Sequence, residues 1–441
     1  MEFLIKAAQL ILSLSLLIVL HEFGHYLPAR AFKTKVEKFY LFFDYKFSLF
    51  KKKINDTEWG IGWIPLGGYV KIAGMIDESM DKDQMKQEPK PWEFRTKPAW
   101  QRLIIMVGGI VVNLIVGFII YAMVLFTWGE ERITPQDMVA GVSVAPEFEK
   151  YGFQDGDQLI AVEGEPVENI LLVNTQILLR GARDIKVKHP NGEEEVITLS
   201  EDADYEMFET GAFRIFAPRI TAKIDSVYAG WPSDQAGLKN GDRIRSVNGW
   251  EINYWDQFSD TISKSKNEIV TVVVERDGAN QTLTVEVDST GKIGVQPNTE
   301  ELNAMISHVD YSFFQAFPAG LNKAYWTLHD YASQLKFLFT KKGASSIGGF
   351  GAFGNLFAPQ WDWHSFWLNT ALISIILAFM NFLPIPALDG GHIMFLLYEM
   401  ITGREPNQKV LEYAQVAGFI FILGLVLFAN GNDIYRWLSG N

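Results

Sequence analysis

The chain has no cysteine. That excludes a disulfide framework and a thiolate metal site, so any metal site must rest on His and carboxylate ligands. The absence does not choose a side of a membrane, since a chain without thiols suits either. A basic surplus is also missing: 39 Lys and Arg stand against 52 Asp and Glu, for a net charge of −13. Nucleic-acid binding needs a basic face, so no such partner is expected. Charged residues are scarce at 21%, while hydrophobic residues reach 48%. A mean hydropathy of +0.05 is low for a bundle of spans alone and high for a soluble protein. The reading is a mixture, with several spans joined to a water-soluble part, in two or more domains for 441 residues.

Four stretches carry no Asp, Glu, Lys or Arg over about a bilayer's width: Ala7–Leu20, Leu103–Trp128, Phe366–Leu388 and Tyr413–Asn430. The first has only Lys6 as a basic flank and no small-x-small cleavage site before His21, so it is expected to stay as a span. Arg30, Lys33, Lys35, Lys38, Lys46, Lys51–Lys53, Lys97 and Arg102 lie between spans one and two; Arg404 and Lys409 lie between spans three and four. The positive-inside rule makes both segments cytoplasmic. Both termini and residues 129–360 then face the opposite side. Trp361, Trp363 and Trp367, just before span three, fit an interfacial belt on that outer side.

The first span runs into His21-Glu22-Phe23-Gly24-His25, an H-E-x-x-H motif. Two histidines four apart share one helix face and can bind one Zn²⁺, and the glutamate between them can take a proton from the attacking water. Keeping three such groups at the end of a span is costly without a function. Spans one and three run in the same direction, so the Asn381…Asp389-Gly390-Gly391-His392 segment ends at the depth of the histidines. A catalytic zinc usually keeps three protein ligands. Asp389, His392 and Glu399 are the candidates for the third, with Asp389 favoured because the Gly pair after it is read as loosening the helix. Asn381, Pro384 and Pro386 are expected to break the span where it lines a polar cavity. Asn381 is a candidate to hold substrate backbone, and Asn113, the lone amide of span two, reads as interhelical glue.

Tyr151–Gly164 matches Ala236–Gly249 at a constant offset, with Gly-Asp turns followed by alternating strand patterns. Repetition at this period means two similar small domains in tandem. The Ala-Gly-Leu-x-x-Gly-Asp-x-Ile-x-x-Val-Asn-Gly run of the second copy resembles PDZ domains, which bind extended peptides or C-termini by strand addition. The copies can equally serve as spacers or steric shields. Val36–Ile72 is expected to form β-hairpins ending in Ile64–Ile72, where Gly67 and Gly68 allow close backbone approach. Residues 77–97 read as a polar loop, 311–340 as an amphipathic helix at the outer membrane surface, and 343–354 as a mobile glycine-rich linker.

H-E-F-G-H in span one, Gly67-Gly68-Tyr69-Val70-Lys71, a tandem PDZ-like repeat and N-x-x-P-x-P-x-L-D-G-G-H in span three together resemble the site-2 protease family, in its bacterial sigma-E-regulating branch. The motifs cover nearly the whole chain. The resemblance implies a bacterial inner-membrane zinc metallopeptidase that cuts single-span membrane proteins, such as anti-sigma factors, after a first outer-side cut. It implies His21, His25 and Asp389 as metal ligands, Glu22 as general base, and Asn381, Pro384, Pro386, Gly67, Gly68 and Tyr69 on the substrate side. Gly108-Gly109-Ile110 departs from the family's usual Ala-Gly-Pro before the span-two Asn, and a family Gly-Pro is replaced near Gly348-Gly349. The expected fold is a multi-pass α-helical membrane protein with four transmembrane helices, a cytoplasmic membrane-associated β-sheet and two periplasmic PDZ-like domains. Its expected parts are a first membrane half (1–128), two PDZ-like domains (129–217 and 218–298), a helix and Gly-rich linker (299–360), and a second membrane half (361–441). The competing readings are the same chemistry on leftover signal peptides, and a non-catalytic PDZ membrane scaffold.

Overall fold

The computed structural model describes residues 1–75 and 88–439. Residues 77–87 of the expected polar loop lie outside the described residues. The chain divides into two units, residues 1–129 with 310–441, and residues 130–309.

The first unit begins with helix α1, Glu2–Ala31. It is longer than its uncharged stretch at both ends and ends just past Arg30, whose charge favours the helix C-terminus. Four strands follow: β1 Val36–Phe43, β2 Phe50–Ile54, β3 Thr57–Ile61 and β4 Ile64–Ile72. Their order is β2-β3-β1-β4, with β1 parallel to β3 and antiparallel to β4. The expected run of hairpins is therefore corrected to a mixed sheet in which only β2 and β3 form a hairpin. Alternation identifies a strand; it does not say which neighbour it pairs with. Helix α2, Ala99–Trp128, then returns through the apolar layer.

The second unit repeats itself. Strands β5 Glu130–Arg132, β6 Val142–Val144, β7 Gln158–Val162 and β8 Glu165–Pro166 are followed by helix α3 Ile170–Arg180, β9 Asp184–Lys188, β10 Glu194–Thr198, helix α4 Ala203–Thr210 and β11 Phe216–Pro218. Then come β12 Ile224–Val227, α5 Pro232–Gln235, β13 Arg243–Val247, β14 Trp250–Glu251, α6 Trp255–Lys264, β15 Ile269–Arg276, β16 Ala279–Glu286, β17 Val295–Pro297, α7 Glu300–Met305 and β18 Ser307–Val309. The two four-stranded sheets, β8-β7-β9-β10 and β14-β13-β15-β16, have one topology. Both carry a register irregularity at the same place, Leu159/Ala161 and Ile244/Ser246. Both turn through paired left-handed residues, Glu163-Gly164 and Asn248-Gly249. Each copy closes its own apolar core, one around Phe148, Phe153 and Phe216, the other around Val247, Val272 and Val274.

The first unit resumes with α8, Phe313–Gln334, which packs on α2 through Ala316, Gly320 and Ala324. A Cβ on Gly320 would come within 2.7 Å of the Ala122 backbone, so glycine permits this approach. The glycine-rich segment forms two short helices, α9 Lys341–Ser346 and α10 Phe350–Gly354. The Asp433 carboxylate holds it, accepting from the N–H groups of Gly349, Gly351 and Ala352 at 2.9, 3.0 and 3.2 Å. Helices α11 Trp363–Phe382, α12 Asp389–Thr402 and α13 Gln408–Ser439 complete the unit. Among the described residues, four helices, α1, α2, α11 and α13, are long and apolar enough to cross a membrane.

Polar contacts tie three of these helices together: Thr370 donates to Ser13 at 3.0 Å and Ser374 to the Asn113 carbonyl at 2.7 Å. At the crossing of α1 and α2, a Cβ on Gly24 would lie 2.4 Å from the Gly108 oxygen, and one on Gly108 1.9 Å from the Gly24 oxygen. The two backbones touch there, and only glycines allow it.

Candidate active site

That glycine crossing lies between the two motif histidines and presses their rings onto α2. His21 and His25 sit one turn apart with ring centroids 4.8 Å from each other, nearly perpendicular. His25 is buried, and its Nδ1–H donates to the Ile105 carbonyl of α2 at 2.8 Å. This leaves the His25 Nε2 lone pair facing inward. His21 Nδ1 meets the Asn113 side-chain amide, also of α2, at 3.2 Å. Gly109 completes the seat, because a Cβ there would lie 2.4 Å from His25 Nε2.

The third member comes from the far end of the sequence. Helix α11 stops at Phe382, Pro384 and Pro386 keep it from continuing, and a turn closed by the Leu388 N–H on the Ile385 carbonyl at 3.0 Å leads to α12 at Asp389. Ala387 turns through the left-handed region (φ 82°), a strained conformation for a residue with a Cβ. Gly390 and Gly391 do not loosen the helix, contrary to the sequence expectation. They let its first turn pack on the preceding loop, since Cβ atoms there would lie 2.1 Å from the Leu383 oxygen and 2.7 Å from Pro386 Cα. Asp389 is thereby held at the N-terminus of α12, where a negative charge is favoured.

Asp389 Oδ2 lies 3.2 Å from His21 Nε2 and 3.3 Å from His25 Nε2, and the two Nε2 atoms are 3.2 Å apart. Ligands of a tetrahedral zinc at about 2.0–2.1 Å stand about 3.3 Å from one another. The triangle therefore has the edge length of one zinc face. Asp389 Oδ2 is also buried and accepts no hydrogen bond, a costly condition that a cation would relieve. The donor set fits zinc.

Glu22 lines the same cavity of about 140 Å³, with its carboxylate turned toward the Val70 backbone of β4. Tyr69, Asn381, Asp389 and His392 also line it. Gly67, Gly68, Pro384 and Pro386 are not among the lining residues. Gly68 instead accommodates Ile18 and the Tyr40 oxygen, at 2.6 and 2.8 Å from a Cβ there. Strand β4 is an edge strand, paired only with β1 among the described residues. The Tyr69 hydroxyl donates to Asp44 at 2.8 Å, and burial and that carboxylate push it well above the ordinary phenol range. Of the other third-ligand candidates, His392 meets Gln415 at 3.0 Å and stands outside the triangle, while Glu399 pairs with Arg102 of α2.

Sequence reasoning missed Gln415 and Phe419 of α13, which also line the cavity. The signal was present for Gln415, an uncharged polar side chain inside the fourth apolar stretch. Asn113, read as interhelical glue, does bridge two helices, but its partner His21 was not foreseen, and neither was the Ile105 carbonyl on His25. Ile105 acts through its carbonyl, which no side-chain pattern reveals.

Two histidines, an aspartate and a neighbouring glutamate inside a bundle of membrane-length helices define a membrane metallopeptidase. The family follows from comparison: the profile of peptidase family M50 matches residues 9–425, and the chain belongs to that family. The chain is 26% identical over 471 residues to a regulator of sigma E protease from Haemophilus influenzae, covering 99% of this chain and 100% of that one. It is 28% identical over 463 residues to a regulator of sigma-E protease from Salmonella typhimurium, covering 97% and 98%. A Neisseria meningitidis protein named as a zinc metalloprotease is 28% identical over 451 residues, with 97% and 98% covered. The chain is a zinc-dependent metalloendopeptidase.

Proposed function

We propose that this peptidase cuts single-span membrane proteins within the bilayer, with His21, His25 and Asp389 as its zinc ligands and Glu22 as its general base. The observation that carries this reading is the triangle of three donors 3.2–3.3 Å apart, with Glu22 lining the same cavity. A zinc held by His21, His25 and Asp389 would supply Lewis acidity, polarising a peptide carbonyl and lowering the pKa of water so that it loses a proton more readily. Glu22 takes the proton of the attacking water and returns it to the leaving amine. A helix about 10–12 Å across does not fit the cavity, so the substrate unwinds at the cut. The open edge of β4 pairs with the unwound stretch, and Asn381 binds its backbone.

The outer segment carries two PDZ-like domains, a reading supported by the repeated sheet order and turns. They face the periplasm together with both termini, by the placement of the basic residues. The names of the sigma-E-regulating relatives favour an inner-membrane enzyme and substrates of the anti-sigma type.

The test is cleavage of a single-span substrate, trimmed of its outer domain, by membranes carrying the parent or Glu22→Gln. The parent should cut and lose activity to a zinc chelator, while the variant keeps zinc and does not cut. Parent-like turnover by Glu22→Gln would falsify the role of Glu22. Undiminished zinc in Asp389→Ala would move the third ligand elsewhere.

A further inference from the structure

The two motif histidines are held differently. His25 donates to the Ile105 carbonyl, an acceptor that cannot change, so its tautomer is set by the α2 backbone. His21 meets a side-chain amide, and an amide can present either a donor or an acceptor. Asn113 is fully buried, and its backbone carbonyl accepts from Ser374 of α11. Its Nδ2 lies 3.2 Å from His21 Nδ1, while its Oδ1 is buried with no partner.

If Nδ2 donates to Nδ1, the His21 proton must sit on Nε2, the atom that faces His25 and Asp389. That nitrogen then has no lone pair to give. A half-turn of the terminal amide torsion exchanges Oδ1 and Nδ2, which are nearly the same size. Oδ1 then accepts from Nδ1–H, and the Nε2 lone pair faces the triangle. Metal-bound histidines are held in this way by an acceptor on the other ring nitrogen.

We propose that Asn113 is a positioning residue that fixes the ligating tautomer of His21 by accepting from its Nδ1–H. The proposal rests on the reading of His21 as a zinc ligand. Ile105 and Asn113 lie eight residues apart, about two turns along one face of α2. Helix α2 thus gives each histidine its partner while contributing no ligand itself. Asn113 does this without burying a charge in the bundle, unlike an aspartate.

The experiment measures zinc affinity of the purified full chain by competition with a chelator, for the parent, Asn113→Leu, Asn113→Asp and Asp389→Ala. Thermal unfolding of the zinc-stripped proteins runs alongside. Leucine keeps the γ-branched shape, with some added bulk, and removes the acceptor, so zinc affinity should fall about 10–100-fold. Aspartate is acceptor-only and should hold zinc within a few-fold of the parent. A merely structural role would change unfolding of the stripped protein and not this ranking. Equal affinity in Asn113→Leu and the parent overturns the proposal. So does a tenfold loss in Asn113→Asp, because it would mean the amide acts as a donor; this arm decides even if Asn113→Leu does not fold. If Asp389→Ala binds zinc like the parent, the site reading has failed. If it loses zinc while Asn113→Leu does not, only the role of Asn113 has failed.

Discussion

Gly109→Ala adds one methyl group at the most sensitive point of the helix crossing. Its Cβ would lie 2.4 Å from His25 Nε2, 2.6 Å from His21 Cε1 and 2.8 Å from His25 Cε1. Ordinary contact begins near 3.5 Å, so the imidazoles or α2 must move by about 1 Å. Helix α2 cannot easily retreat from α1, because α11 packs against it, with Ile375 2.7 Å from where a Cβ on Gly117 would lie. The rings must give way, and a zinc site tolerates ligand displacements of only about 0.2 Å. A site binding zinc with about 10–16 kcal/mol in total loses about 3 kcal/mol or more when one ligand is misplaced, upward of a hundredfold in affinity. Overpacking itself costs about 1–3 kcal/mol of fold stability.

The assay is zinc per chain and chelator competition on the full-length protein, with thermal unfolding after zinc is stripped. Gly108→Ala is the comparison. Its Cβ meets the Gly24 oxygen at 1.9 Å, backbone against backbone, so it should damage the fold itself. Gly109→Ala should lose zinc out of proportion to its loss of stability. Parent-like zinc affinity in Gly109→Ala would refute the argument that the glycine seats the rings.

Other consequences follow from single contacts. The Arg102–Glu399 pair joins α2 to α12 with both side chains mostly buried. Arg102→Met or Glu399→Met alone should lower the melting temperature, and the double variant should recover most of the loss, because a lone buried charge is worse than none; additive losses would argue against it. Asp433→Ala leaves three backbone N–H groups of residues 349–352 without their carboxylate, and amide exchange there should speed up while exchange in α2 stays unchanged. His189 contacts Asp157 at 2.7 Å and Glu195 at 3.2 Å, and chiefly its hydrogen bond to Asp157 raises its pKa above the ordinary imidazole value. A raised folded value means this stabilisation is complete below the unfolded pKa near 6.5 and fades as pH rises through the folded one. Unfolding of the parent should therefore ease above about pH 6.5, while the His189→Gln profile stays flatter; parallel profiles would count against it.

Charge-free stretches located the four long helices because burying a charge in a bilayer is costly whatever the fold. They misjudged the ends: α1 begins at Glu2 and includes Lys6 and Arg30, since helix hydrogen bonds do not stop where apolar residues do. The repeat was legible because the same turn needs a glycine in the same place, as Gly164 and Gly249 show. Pairing of β1 with β3 was not legible, because the partner of a strand is a long-range choice. The order of residues 347–354 was missed for the same reason: glycines suggested mobility, and the carboxylate that orders them lies some 80 residues later, at Asp433.

Positions 108 and 109 show how packing joins chemistry at one point of the crossing. Gly108 departs from the Ala of the usual family pattern, whereas Gly109 keeps its Gly. In the fold, Gly108 lets α1 and α2 touch, and Gly109 leaves the space that the histidine rings occupy. The depth of the crossing therefore sets the distance from Nε2 to Asp389. Neither α1 nor α12 can set it alone, because each carries its ligands on one side and leans on α2 or the Leu383–Pro386 backbone on the other. Substitutions in α2, which holds no member of the triangle, should thus alter zinc affinity more than substitutions of exposed residues in α1 such as Ile11 and Leu12.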